Sequence, residues 1–151
     1  ANSYLARNYK PEYIINIATL TGAVVIALGY EYTGLMASHK ILADALLQAA
    51  QDTDDRAWEL PIYPELKEHV KSKVADIRNT GEPKCAGTLA GGEFLRQFAQ
   101  CESDTLQWAH LDIAGTAKPA KETGLFDNGA TGSGVRLLTQ YLLNRAGSDR
   151  S

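Results

Sequence analysis

The side chains in this sequence that could do chemistry fall into a few short constellations. His110-x-Asp112 lies in the run Trp108-Ala109-His110-Leu111-Asp112-Ile113-Ala114. That run alternates and reads as a strand, so the imidazole and the carboxylate project from one face. Such a pair can hold a metal or orient a base, although within a buried strand it is more often a structural hydrogen-bonding group. Two small-residue segments, Thr19–Gly22 and Ala114–Ala117, each follow an apolar run. Ligands of open α/β sheets collect outside the C-terminal ends of strands, where small residues admit a ligand to the backbone or simply make tight turns. Gly87-Thr88-Leu89-Ala90-Gly91-Gly92 invites a phosphate-loop reading but is followed by Glu93 where the lysine is required, so nucleotide binding is excluded. Close packing near a helix start accounts better for these glycines. Asp52-Thr53-Asp54-Asp55 lacks the glycine and terminal glutamate of a calcium loop and reads as solvated charge at a helix end. His39 and His69 have no partner at a site-forming spacing, and His69 falls on a helix expected to be exposed. No G-x-S-x-G elbow occurs. From residue types alone, no complete catalytic machine assembles.

The elements that must position these groups follow from periodicity and punctuation. Tyr13–Ala18 is a nearly continuous β-branched run, as in a strand covered on both faces. Residues 24–28 predict a short buried helix ending at Gly29. Ser38 is placed to cap a helix through Ala50, with Ile41, Ala45 and Leu46 on one face and the 52–55 loop closing it. Trp58–Pro61 is extended, Pro64 opens a helix to about Lys71, and Val74–Ile77 is a candidate strand. A loop, Asn79–Lys84, precedes a helix over Ala86–Ala99. After the Trp108 strand a polar loop, Lys118–Asn128, leads to a helix over Thr131–Arg145 with Val135, Leu138 and Leu142 buried. Ala1–Tyr9 reads as the tail of a helix without a start. Strands alternating with helices predict an α/β fold with a largely parallel sheet flanked by helices. One domain is expected through residue 146, followed by a flexible tail, 147–151.

Composition narrows the function classes. The chain has 151 residues, 44% hydrophobic and 22% charged, with a formal net charge of -3. A nucleic-acid footprint would want a basic face, which this charge does not offer. No apolar run is long enough to span a membrane, and the N-terminus lacks the pattern of a signal peptide. Cys85 and Cys101 form no metal or redox motif and suit a reducing cytosol.

Several segments together resemble the leucyl aminopeptidase family, which includes cytosol aminopeptidase and bacterial aminopeptidase A. These are Ile17-Ala18-Thr19-Leu20-Thr21-Gly22-Ala23, Gly34-Leu35-Met36-Ala37, the stretch 55–61, the stretch 86–95, Trp108–Gly115, Gly129-Ala130-Thr131-Gly132 and Leu142–Gly147, all in family order. The resemblance implies hydrolysis of the N-terminal residue of peptides, leucine preferred, by two divalent metals, zinc or manganese. The metals would activate a bridging water, with a bicarbonate held by arginine and a lysine assisting. It implies substrate-binding roles for Thr19, Leu20, Gly22, Ala114 and Ala117 around the first residue of the peptide, with Leu20 contributing its backbone. Thr80 falls near the pocket for the second residue. The family's N-T-D-A-E-G-R-L motif and its other metal ligands are absent from these residues, and His110 and Asp112 match structural positions. The expectation is therefore a cytoplasmic, hexamer-forming metallo-aminopeptidase as the parent. This chain would carry the pocket side, with no catalytic or metal-binding residue of its own, and would be inactive alone. With neighbouring elements removed, the Tyr13–Ala18 strand would be uncovered and the fragment prone to associate. A non-catalytic interaction or oligomerisation module is the alternative.

Overall fold

A computed structural model describes residues 1–82, 84–100, 105–118 and 129–148. Four strands form one sheet: β1 (Tyr13–Ala18), β2 (Thr33–Ala37), β3 (Ala57–Glu59) and β4 (Gln107–Asp112), in the order β1-β4-β2-β3. β1 with β4 and β2 with β3 are parallel, whereas β2 runs antiparallel to β4. Ala18 pairs with Asp112 and Asp112 with Gly34, so the C-terminal ends of β1 and β4 meet the start of β2 at one edge. The α/β expectation holds, and the sheet is mixed, with two of its three pairings parallel.

The helices are α1 (Asn2–Tyr9), α2 (Gly22–Leu28), α3 (Lys40–Thr53), α4 (Leu66–His69), α5 (Gly87–Ala99) and α6 (Val135–Ser148). Alternation along the strands divides them into two layers. Leu35, Ala109 and Leu111 face α3 and α6, packing on Leu42, Leu46, Ala49, Leu137 and Tyr141. Ile14, Met36 and Trp108 face the other way, toward Ala6 of α1, Leu66 of α4 and Ala99 of α5. This second layer contains a polar clasp. Asn2 and Asn16 exchange amide hydrogen bonds of 2.9 Å, and the Trp108 indole donates to Asn16 Oδ1 at 2.8 Å.

Several expectations are corrected. Val74–Ile77 is not a strand: the backbone bends around Ser72, whose hydroxyl accepts from Val74 and Ala75, and Val74 is 97% exposed. The missing strand is β2, read from the sequence only as a family segment. Gly34 makes it look broken, yet a Cβ there would lie 2.9 Å from Val24 Cγ2, so the glycine is what lets α2 lie on the sheet. Ser38 does not cap α3. Its hydroxyl accepts from Trp108 N at 2.9 Å, His39 takes the cap position, and the buried face falls on Leu42, Leu46 and Ala49 while Ile41 is exposed. α4 is two residues shorter at each end than expected, and His69 is half-buried. The 119–128 part of the Lys118–Asn128 loop and tail residues 149–151 lie outside the described residues; α6 itself continues through Ser148.

The phase of α6 was also misread. Gly132 and Gly134 have φ of +71° and +86°, which keeps residues 131–134 out of the helix, and Leu137 and Tyr141 are buried rather than Val135 and Leu142. Asp55, expected to be solvated, is 6% exposed and sets that start. One of its carboxylate oxygens accepts from Gly134 N at 2.8 Å and Leu137 N at 3.3 Å. These are the N-cap and third-residue donors that a capping box satisfies, here served by a remote anion at the positive end of the helix dipole. Replacing Asp55 with Ala should lower unfolding free energy by about 1–3 kcal/mol in urea titrations, and Asp55→Asn by less. Equal midpoints for wild type and Asp55→Ala would contradict this account.

Candidate functional site

β1 and β4 run side by side to a shared end and there separate. Their ladder extends one bond past the strands, Ile113 N to Ala18 O at 2.9 Å. Beyond it the chain forks into the loop 19–21 and the loop 113–117. The Asp112 carboxylate, 1% exposed, fills the fork. Oδ1 accepts from Leu20 N at 3.0 Å, Thr21 N at 3.4 Å and Ala114 N at 3.2 Å, and Oδ2 accepts from Thr21 Oγ1 at 2.7 Å. A carboxylate taken from water requires this density of donors.

Donor accounting at Thr21 then fixes its neighbour. Thr21 donates its proton to Asp112 Oδ2, so the 3.0 Å contact with Thr88 Oγ1 has Thr88 donating. Thr21 Oγ1 also accepts from Val24 N at 3.3 Å as the N-cap of α2. One hydroxyl thus ties the first loop to β4, α2 and α5.

Glycines hold both loops close from behind. A Cβ at Gly91 would come within 2.9 Å of Thr21 Cγ2 and 3.1 Å of Leu20 Cδ2, and one at Gly92 would run into the Met36 thioether. The glycine run at the start of α5 is thus packing, as its sequence suggested. A Cβ at Gly115 would run into the Gly29 carbonyl oxygen, backbone that cannot give way. The second loop is further braced by hydroxyls, with Thr116 Oγ1 at 2.9 Å from Thr33 Oγ1 and 2.7 Å from Ser133 Oγ, and by Thr131 N donating to Ala117 O at 3.2 Å.

Of the residues singled out from the sequence, Thr19, Leu20, Ala114 and Ala117 therefore lie on two loops joined by one carboxylate, and Gly22 opens α2 directly after the first loop. Thr19 and Gly22 are exposed, Leu20, Ala114 and Ala117 half-buried. A Cβ built on Gly22 meets nothing within 4 Å, so this position opens onto free space. Thr80 is not tied to the others. It is exposed, and the adjacent Gly81 packs on Ala90 of α5 and His69 of α4. Asp112 and Thr21 were missed as organisers, although an aspartate closing an apolar strand before small residues was the available signal. An apolar groove of about 560 Å³ adjoins the first loop, lined by Ala23, Ile26, Ala27, Leu60, Pro61 and Thr88 among others.

The arrangement can bind and orient, and it offers no free base, since Asp112 is saturated with donors. Among the described residues, no three His, Cys, Asp or Glu side chains gather as a metal-holding group, so the two divalent metals implied by the resemblance do not fit this donor set. His110 is fully buried, stacked on Trp108 with ring centroids 6.3 Å apart and planes at 16°, and neither ring nitrogen has a hydrogen-bond partner. Burial pushes its pKa below the ordinary 6.5, while the charge of Asp112 pulls the other way, as does, least of all, a backbone contact with Asn16 too poorly placed to count as a hydrogen bond. The folded protein thus holds a neutral imidazole that the unfolded chain protonates below about pH 6.5, so this stability is present above that pH and lost as pH falls. Thermal melts between pH 7 and 5 should show a slope of up to about 1.4 kcal/mol per pH unit that His110→Gln removes. Parallel curves for the two proteins would refute a buried neutral His110.

Comparison with known proteins places the fold and the sequence in one family. The chain is 51% identical over 141 residues to a cytosol aminopeptidase of Pseudomonas aeruginosa, covering 93% of this chain and 27% of that protein. It is 48% identical over 149 residues to a probable cytosol aminopeptidase of Aeromonas salmonicida, covering 99% and 28%. Among solved structures, a mutant tomato leucine aminopeptidase superposes with a TM-score of 0.84 at 37% identity, over 95% of this chain and 27% of that one. The chain therefore spans a little over a quarter of the length of these relatives. The model of the cytosol aminopeptidase family's catalytic domain matches residues 1–139, and the chain belongs to that family.

Proposed function

We propose that these residues form the substrate-pocket side of a cytoplasmic leucyl aminopeptidase that removes N-terminal residues, leucine foremost, from peptides. What supports the reading is the convergence of Thr19, Leu20, Gly22, Ala114 and Ala117 at one sheet end, on or directly after two loops fixed by a common carboxylate. Ala114 and Ala117 leave room for a branched apolar side chain. Because the N–H of Leu20 is taken by Asp112, Leu20 meets a bound peptide with its carbonyl oxygen, an acceptor for a peptide N–H. Two divalent metals, manganese or zinc, supply the hydrolytic chemistry when bound and, with bicarbonate, are held by parts of the parent outside these residues. The 151 residues alone bind neither metal in stoichiometric amount and do not hydrolyse peptides. The parent assembles as a homo-oligomer, a hexamer. No helix among the described residues is long and apolar enough to cross a membrane.

Assays with leucine-p-nitroanilide and added manganese test this directly. The full-length parent should cleave it, whereas the 151-residue chain should not, and elemental analysis should find no tightly bound metal in the latter. A parent without activity would favour a non-catalytic interaction module instead. Gly22 provides a second check. Gly22→Leu in the parent should raise KM for leucyl substrates about tenfold while leaving the melting temperature unchanged, since the added side chain enters open space rather than the core. An unchanged KM would remove Gly22 from the pocket wall.

A further inference from the structure

We propose that Asp112 is a positioning residue for the peptidase reaction, setting the separation of the two substrate-bearing loops; this rests on the functional reading above. Past the Ile113–Ala18 bond the strand ladder ends, and backbone pairing no longer holds the loops together. Their spacing passes to the Asp112 carboxylate, which takes Leu20 and Thr21 from one loop and Ala114 from the other on a single oxygen. Its second oxygen takes the Thr21 hydroxyl, which is also in contact with Thr88 on α5. The carboxylate therefore fixes both how far apart the loops stand and how high the first loop rides on α5. It reaches the pocket through the backbone of Leu20 and Ala114 and need not touch substrate.

A group that only stabilised the fold would lower turnover of every substrate alike. A spacer between pocket walls acts on discrimination by side-chain size. The test is the kinetics of the full-length parent on leucyl and alanyl p-nitroanilides, for wild type, Asp112→Ala, Asp112→Asn and Thr21→Val. Asp112→Ala, which removes all four hydrogen bonds to the carboxylate, should raise KM for the leucyl substrate and reduce the leucyl-over-alanyl preference in kcat/KM by at least about tenfold, the factor that one charge-assisted hydrogen bond alone can supply. Asp112→Asn keeps one oxygen for the backbone donors and gives Thr21 an N–H to accept, and should stay within about threefold of wild type. Thr21→Val leaves the backbone donors on the first oxygen and empties the second, together with the hydroxyl's contacts to Val24 N and Thr88, and should fall between. A folded Asp112→Ala enzyme with unchanged KM and unchanged preference overturns the proposal. If Asp112→Ala does not fold, an unchanged preference in Thr21→Val overturns it. A wild-type parent that cleaves neither substrate removes the functional reading and this role with it, a result distinct from altered or unaltered preference within an active series.

Discussion

A buried carboxylate at the end of a strand is expensive to desolvate unless nearly every lone pair meets a donor, and Asp112 meets that requirement with donors that nothing else in the sheet would hold. The N–H groups of Leu20, Thr21 and Ala114 belong to segments that have just left the β ladder. Without an acceptor in the fork these part-buried donors would lose their partner, at a cost below the roughly 1–3 kcal/mol of a fully buried one. Carboxylate and loops therefore satisfy one another. The glycines at 91 and 115 follow from this constraint: once the loops are drawn inward, no Cβ fits behind them.

The same alternation that places Asp112 in the fork gives the sheet two unlike faces. Ala109 and Leu111 look toward α3 and α6, into a layer of leucines and alanines. Trp108, His110 and Asp112 share the other face, with Asn16 beside His110 and Asn2 reaching down from α1. Apolar packing on the first face supplies non-directional cohesion. Hydrogen bonding on the second supplies geometry, because an amide pair or a carboxylate tolerates few orientations. Binding residues accordingly sit where the directional layer reaches the sheet edge.

Much of this was legible in the sequence, and the exceptions share a physical cause. β1, β4 and α5 announced themselves because each carries its own periodicity and ends in its own punctuation. β2 did not, since Gly34 is explained only by Val24 and Leu60, which approach it from elsewhere in the chain. The phase of α6 was hidden for the same reason. Its start is dictated by Asp55, 79 residues upstream of Gly134, and by two left-handed glycines whose sign no local pattern reveals. Thr19, Leu20, Gly22, Ala114 and Ala117 could be picked out as small or turn-forming residues after strands, yet that Asp112 joins their loops depended on the register of β1 against β4.

His110 marks the limit of the directional layer. It occupies the position between an indole that donates to Asn16 and a carboxylate already filled by backbone, so both neighbours have their hydrogen bonds committed elsewhere. The imidazole is left to stack on Trp108 with its nitrogens unserved. Burying an unpaired polar ring destabilises the core, and an apolar residue of similar volume would avoid that loss. What the ring does supply is a flat contact on Trp108, whose indole is itself held by Asn16. The polar face of β4 thus carries one unserved ring between two groups whose hydrogen bonds are made, and the directional order of the fork rests on Asp112 alone.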